Sequence, residues 1–364
     1  MNIALIASHF LSKRGGITTT INNFREKMTA LGETVLVYNT DIEKNNYIKS
    51  IEWGQSLKDL IHKKGGFYLF IIELFIGIVS FKGIKFKEKL ILAFYYCFFP
   101  RNLVNRVGSL KKLISDFRKK KLDIILSISS TYPLFLGFIL SKWYKIPLVT
   151  LAHGEDFLRR YPHNLNTILF HHSNKIILSN SIMKELFLKV HEVEKEKVKI
   201  IYRGVNLESI KVDMDKQKLR EKHKIDQRDF IILTVSRIYF RKGIDTIIRT
   251  VSNIIEENQH LLFKYYIIGE GKEKKRLENL VKELNLEKYV YFLGAKDNKI
   301  RNEYYKLSDL FILVPEIKKN SIEGFGIVYI EANYFNLPVI GSRSGGVKIA
   351  IEDEKSGYLV EPSN

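Results

Sequence analysis

The chain has 364 residues, 45% of them apolar and 27% charged, and 59 Lys and Arg against 40 Asp and Glu give a net charge of +19. That composition excludes a disordered or fibrous chain, and the length suits two domains better than a single core. A lone cysteine, Cys97, excludes an internal disulfide and fits a reducing compartment. At the start, Met1-Asn2-Ile3-Ala4-Leu5-Ile6-Ala7 lacks a basic leader, and its apolar run is too short for a signal peptide. Ile3 to Ala7 therefore reads as a first buried strand, and a cytoplasmic location is expected. Ser8 to Lys13 and then Arg14-Gly15-Gly16-Ile17-Thr18 follow. Strand, glycine turn and helix open a Rossmann-like unit, although one adjacent glycine pair is not the dinucleotide fingerprint. Residues 17–31 read as an amphipathic helix ending at Gly32, and Thr34 to Tyr38 as the second strand.

Residues 41–121 are the least regular part. Phe67 to Phe81 is apolar but broken by Glu73 and Gly77, and Leu90 to Phe99 is apolar and aromatic, closing at Pro100. Neither run reaches the roughly 20 residues needed to span a bilayer. Beside them, residues 82–121 hold twelve Lys or Arg against Glu88 and Asp116, a local net of +10. Two readings stand: core helices with solvated lysines, or interfacial helices with Lys82, Lys85, Lys87 and Lys89 at the headgroups of an anionic membrane. The second is the expectation, placing the protein peripherally at the inner face of the plasma membrane. No nucleic-acid module accompanies the charge, so nucleic acid is not expected as a partner.

From Asp123 strand and helix alternate clearly. Ile124 to Ile128, Leu148 to Leu151, Ile176 to Leu178 and Val198 to Tyr202 are apolar runs of strand length, with helix-like segments at 134–144 and 181–190. After the 148–151 run comes Ala152-His153-Gly154, and ligands gather at the carboxyl ends of such strands. His153 is therefore a site candidate, against the plain reading of a turn histidine. Lys211 to Asp229 is charged and turn-rich, and Phe230 to Val235 begins a second doubly wound unit. Arg237 follows that strand, and Lys242, in Arg241-Lys242-Gly243, is expected to open the next helix. Arg offers a planar fork and Lys a point charge for the same anion. Arg241 is assigned no role.

Between two apolar runs, Leu310 to Val314 and Leu337 to Ile340, lies Ser321-Ile322-Glu323-Gly324-Phe325-Gly326-Ile327-Val328-Tyr329-Ile330-Glu331-Ala332. Two carboxylates bracket seven residues, with a Gly-Phe-Gly turn after the first. A helix starting near Ile327 would put Glu331 one turn in and Glu323 on the loop before it, both beside the positive end of the helix. Glycines admit backbone amides close to an anion, so the segment suits a phosphate held by amides and hydroxyls held by carboxylates. The plain reading is a capped helix with an acidic flank.

Glu, seven residues, Glu, with Gly-Phe-Gly after the first acid and Ala after the second, resembles the retaining glycosyltransferases of family 4. So do Asn336-Leu337-Pro338-Val339-Ile340, Ser344-Gly345-Gly346 and Ser356-Gly357-Tyr358-Leu359-Val360. Upstream, Val235-Ser236-Arg237, Lys242-Gly243, Gly269-Glu270-Gly271 and Phe292-Leu293-Gly294 occur in the family's order. The resemblance covers most of residues 230–360 and is looser before them. Arg203-Gly204-Val205-Asn206 resembles the family's Asn-Gly-Val-Asp, with Arg for the usual Asn. Lys348-Ile349 stand where the family has Pro-Glu, and the family normally runs on beyond Asn364 through several helices.

The resemblance implies the α/β GT-B architecture, two Rossmann-like doubly wound domains facing across a cleft, here an acceptor-side domain at 1–205 and a nucleotide-sugar domain at 206–364. It implies that Arg237 and Lys242 bind the donor diphosphate, Glu323 the sugar hydroxyls and Glu331 the ribose. Gly15 and Gly16 would approach the donor, Gly269 would line the base pocket, and the Gly324, Phe325, Gly326 and Ile327 amides would complete the phosphate cradle. His153 would contact the transferred sugar or the acceptor. The implied reaction is retaining transfer from a nucleoside-diphosphate sugar to a glycan or lipid-linked glycan. No His, Cys, Asp or Glu spacing suits a metal, so neither metal nor cofactor is expected, the donor sugar being a substrate. A nucleotide-sugar epimerase of the same fold and an inactive polyanion-binding protein are the rivals.

Overall fold

The computed structural model describes residues 1–7, 16–39, 84, 85, 88, 117, 119–128, 132–158, 165–258, 261–317 and 321–362. Both apolar runs near residues 67–99 and most of the basic stretch lie outside them, as does Gly15. Contacts divide the chain into two compact units: Met1–Leu178 with Leu186–Lys199, and Ser179–Glu185 with Ile200–Asn364. Each is built on a six-stranded sheet.

In the first unit the strands are β1 (Asn2–Ala7), β2 (Thr34–Asn39), β3 (Ile124–Ile128), β4 (Leu148–Leu151), β5 (Lys175–Leu178) and β6 (Val198–Ile200). They lie in the order β2-β1-β3-β4-β5-β6. The pairings of β1 with β2 and β3, and of β4 with β3 and β5, are parallel. Near-continuous apolar runs such as Ile3–Ala7 follow from this, since a parallel sheet is covered by helices on both faces. The helix Gly16–Ala30 returns from β1 to β2, and Tyr132–Tyr144 packs its buried stretch Pro133–Leu140 beside β3.

The second unit has β7 (Phe230–Val235), β8 (Phe263–Ile268), β9 (Val290–Gly294), β10 (Leu310–Leu313), β11 (Val339–Ser342) and β12 (Tyr358–Val360) in the order β12-β11-β10-β7-β8-β9, all parallel. Alternate residues of β8 feed opposite faces. Phe263, Tyr265 and Ile267 join the cluster with Ile244, Ile247 and Leu277, whereas Tyr266 and Ile268 join the one with Leu233, Tyr305 and Tyr329. Period-two burial on both sides is what a doubly wound sheet requires. Strand order reverses between β7 and β10, and ligands of open α/β sheets bind outside the carboxyl ends of the strands at such a reversal.

The expected strands are found with shifts of one or two residues. The largest is at β11, which begins at Val339 rather than Leu337, because Pro338 has no N–H for a ladder and the Leu337 N–H is spent on Ala332 O at 3.1 Å. Lys242 does not open a helix. It ends a 3-10 turn, Phe240–Lys242, and Gly243, in the left-handed region at φ +65°, separates that turn from the helix Ile244–Glu257.

Candidate active site at the carboxyl ends of β7 and β10

The site is assembled within the second unit from two neighbouring loops. The first leaves β7 through Ser236 and Arg237, whose guanidinium sits over the Tyr239 ring at 5.1 Å. It then turns tightly, presenting Arg241 and Lys242 side by side. The second leaves β10 and returns to the helix Ile327–Tyr334 past Glu323. Glu323 is where the loops meet: its Oε2 accepts from Lys242 Nζ at 2.5 Å and from Arg241 Nη1 at 3.0 Å. The three side chains are only 10–16% exposed. Burial pushes the Glu323 carboxyl up, but the charges of Lys242 and Arg241 outweigh it and hold the group at about 2. Burial drives the Lys242 ammonium below its ordinary value, with Glu323 pulling it back and Arg241 and Arg237 adding to the fall. Arg237 is thus near enough for its charge to be felt at Lys242. Two cations meet one carboxylate with a third, Arg237, felt at Lys242, a surplus positive charge suited to a dianion.

The helix Ile327–Tyr334 starts as the spacing predicts. Gly326 is its N-cap at φ +85°, a conformation that L side chains rarely adopt, and a Cβ there would lie 2.6 Å from the Tyr329 ring. The amides of its first turn point back toward the Glu323 loop. Glu331 lies one turn in, as expected, but its carboxylate faces another pair. It is 6% exposed, accepts from Tyr305 Oη at 3.1 Å and lies 3.5 Å from Arg301 Nη2. Burial raises the Glu331 carboxyl, against the opposing pull of Arg301 and Tyr305. Arg301 Nε is buried with no hydrogen-bond partner among the described residues. Two acids on one segment thus have opposite electrostatic settings: Glu323 is clamped ionised, and Glu331 is poised to gain from a further donor such as a hydroxyl.

Backbone packing fixes the acidic loop. Gly346 donates to Glu323 O at 2.8 Å, and a Cβ on Gly346 would come within 2.2 Å of Gly324 O. Asn180 Nδ2 donates to Gly324 O at 2.7 Å and Ser179 Oγ at 3.1 Å, both residues belonging to the second unit by their contacts. Gly269 takes φ +151°, and a Cβ on it would lie 1.8 Å from Ser236 O. The glycine lets the end of β8 lie against the backbone leading into Arg237. In the first unit Gly16 opens its helix, and His153 lies half-buried two residues after β4. Among the described residues no group of three or more His, Cys, Asp and Glu is arranged to hold a metal ion, and no helix is long and apolar enough to cross a membrane.

Sequence reasoning missed Arg241, Tyr305 and Arg301. The one signal the sequence offers for Arg241 is its place beside the motif residue Lys242. Tyr305 and Arg301 sit four apart on the helix Asn298–Leu307, a spacing that places them on one face but names no partner.

Known proteins resemble the chain over both halves. A model described as Glycosyltransferase Family 4 matches residues 14–209, and one described as Glycosyl transferases group 1 matches residues 215–364. An uncharacterized glycosyltransferase of Methanocaldococcus jannaschii is 27% identical over 242 residues, 63% of this chain and 60% of that protein. This chain therefore spans less than two thirds of the length of that relative. The Escherichia coli UDP-Gal:alpha-D-GlcNAc-diphosphoundecaprenol alpha-1,3-galactosyltransferase is 28% identical, covering 71% of this chain and 68% of its own length. Among solved structures, Anabaena HepE in complex with UDP and glucose superposes with a TM-score of 0.66 at 17% identity, over 99% of this chain and 86% of that one. At that identity the likeness shows the fold, two Rossmann-like domains of the GT-B type.

Proposed function

The chain belongs to the group 1 glycosyltransferases of family 4, and on that premise we propose that it moves a sugar from a nucleoside-diphosphate sugar to a glycan or lipid-linked glycan, with retention, at the cytoplasmic face of a membrane. The observation that carries the reading is the buried meeting of Lys242 and Arg241 on Glu323, with Arg237 close by, at the β7–β10 reversal. In this reading the diphosphate lies against Arg237 and Lys242 and the helix start at Ile327, Glu323 orients donor-sugar hydroxyls, and Glu331 takes the ribose. The C1–O bond to the diphosphate breaks as the acceptor oxygen bonds to C1 on the same face. The acceptor's proton passes to the departing phosphate oxygen, and the protein's cations, with no metal, carry the charge that develops. Gly15, Gly16 and His153 would serve the transferred sugar or acceptor from the first unit, and Gly269 the base. The lipid-linked acceptor is supported by the E. coli relative, whose name specifies a diphosphoundecaprenol substrate, and peripheral membrane contact by the +10 charge of residues 82–121. Epimerisation and an inactive polyanion binder are less favoured, because the named relatives transfer sugars and the site's charges are intact.

The test is a thermal-shift panel of UDP, GDP, ADP and their hexoses, followed by NMR of the product anomer in EDTA. One diphosphate at a hundred times its dissociation constant should add about 2.7 kcal/mol of stability. No shift with any of them would overturn the reading. An inverted anomer, or activity restored only by a divalent ion, would overturn its retaining or its metal-free part.

A further inference from the structure

We propose that Arg241 is a positioning residue that neutralises Glu323 in place of Lys242 when the donor diphosphate arrives, leaving Lys242 to serve the phosphate. The proposal rests on the donor-site reading above. Its motive is that one oxygen, Glu323 Oε2, has two cationic donors in the ligand-free chain, Lys242 Nζ at 2.5 Å and Arg241 Nη1 at 3.0 Å. A lysine so engaged is not available to a diphosphate without loosening its hold on the carboxylate. A carboxylate released beside a diphosphate would repel it in a poorly solvated pocket.

Arg241 removes that conflict. Its guanidinium already touches Glu323 and is largely buried. Its backbone is fixed from the other side, since the Glu316 N–H donates to Arg241 O at 2.8 Å, linking the turn to the segment that follows β10. The residue thus bridges both loops of the site, once by backbone and once by side chain. The compact ammonium of Lys242 turns about a flexible stem, whereas the planar fork of Arg241 keeps its direction. Formal charge agrees: Arg237, Arg241 and Lys242 against Glu323 leave two positive charges, the number that a diphosphate diester brings as negative ones. The exchange also keeps Glu323 ionised, the form that accepts from sugar hydroxyls. Arg241 needs no contact with the donor to do this.

The experiment is a double-mutant cycle read by calorimetric binding of the nucleoside diphosphate that gives the largest thermal shift. Arg241→Met should weaken binding about tenfold, since Lys242 then stays on Glu323 and one charge-assisted phosphate contact is lost. In a Glu323→Gln background the same change should cost no more than about twofold, because nothing is left for Arg241 to neutralise. Arg241→Lys should restore most of the affinity, which a purely packing role would not predict. Equal losses in both backgrounds, or wild-type affinity in Arg241→Met, overturn the proposal while leaving the donor site standing. Should Arg241→Met not fold, Arg241→Gln takes its place under the same criteria. If the parent protein binds no nucleoside diphosphate at all, the donor-site reading fails and this proposal with it.

Discussion

Replacing Glu323 by Gln should flatten the acid limb of the stability curve. In the folded chain the carboxyl is held at about 2 against its ordinary value of 4.5, because Lys242 and Arg241 together outweigh its burial. A carboxylate depressed on folding stabilises the fold fully above its unfolded value, and the contribution is lost as pH falls through the folded one. The window here runs from roughly pH 4.5 to pH 2. A gap of about 2.5 units corresponds to on the order of 3 kcal/mol in full. By about pH 3.5 some 1.4 kcal/mol of that should be gone relative to pH 5.5. Glu323→Gln loses absolute stability, since two buried cations lose their anion, and it has no carboxyl at this position to lose its charge between pH 4.5 and pH 2. Urea unfolding followed by far-UV circular dichroism at the two pH values measures the difference. The parent should lose about 1–1.5 kcal/mol more than the variant between them. Parallel losses would mean that the carboxylate is not clamped and that the charges around it are not as close as the geometry makes them.

Gly346→Ala should lower stability by about 1–3 kcal/mol and weaken nucleotide binding, since its Cβ would stand 2.2 Å from Gly324 O, whereas Gly204→Ala, with nothing within 4 Å, should leave the melting temperature unchanged. Glu331 has the opposite sign to Glu323. Its carboxyl is raised by burial, so its stabilising protonated form is lost as pH climbs through the raised value. Glu331→Gln should therefore raise the melting temperature of the ligand-free protein relative to the parent more at pH 8 than at pH 5, while weakening nucleoside diphosphate binding in titration.

Most of the sheet was legible because parallel strands are buried on both faces and appear as unbroken apolar runs. Ile124 to Ile128, Leu148 to Leu151 and Phe230 to Val235 coincide with strands to the residue. The helix start at Ile327 was legible because glycine and spacing agree there. Cross-chain pairing was not. The sequence puts Lys242 at the site by its motif, but Glu323 lies 81 positions away, and no local pattern says which cation meets which acid. Arg241 was assigned no role, and its acid lies as far off as that of Lys242, with no local pattern to name it.

The hydrogen bonds behind the site explain why the acidic segment is a fixed part and its side chains the movable ones. Ser344 Oγ donates to Pro315 O at 2.6 Å, Ser342 Oγ to the same carbonyl at 2.5 Å, and Tyr329 Oη to Leu313 O at 2.5 Å. Carbonyls at and just after the end of β10 are thus capped by buried hydroxyls from β11, from Ser344 beyond it and from the helix that carries Glu331, while Gly346 and Asn180 hold the carbonyls of Glu323 and Gly324. A backbone pinned at successive points presents Glu323 from one place, so any response to a ligand falls on the cations that touch it. In the proposed reading Lys242 meets phosphate charge and Arg241 only Glu323, and phosphate charge is common to every nucleoside-diphosphate sugar. Choice between sugars must then come from side chains other than Arg241 and Lys242, and exchanging those two among relatives should alter affinity without altering which sugar is taken.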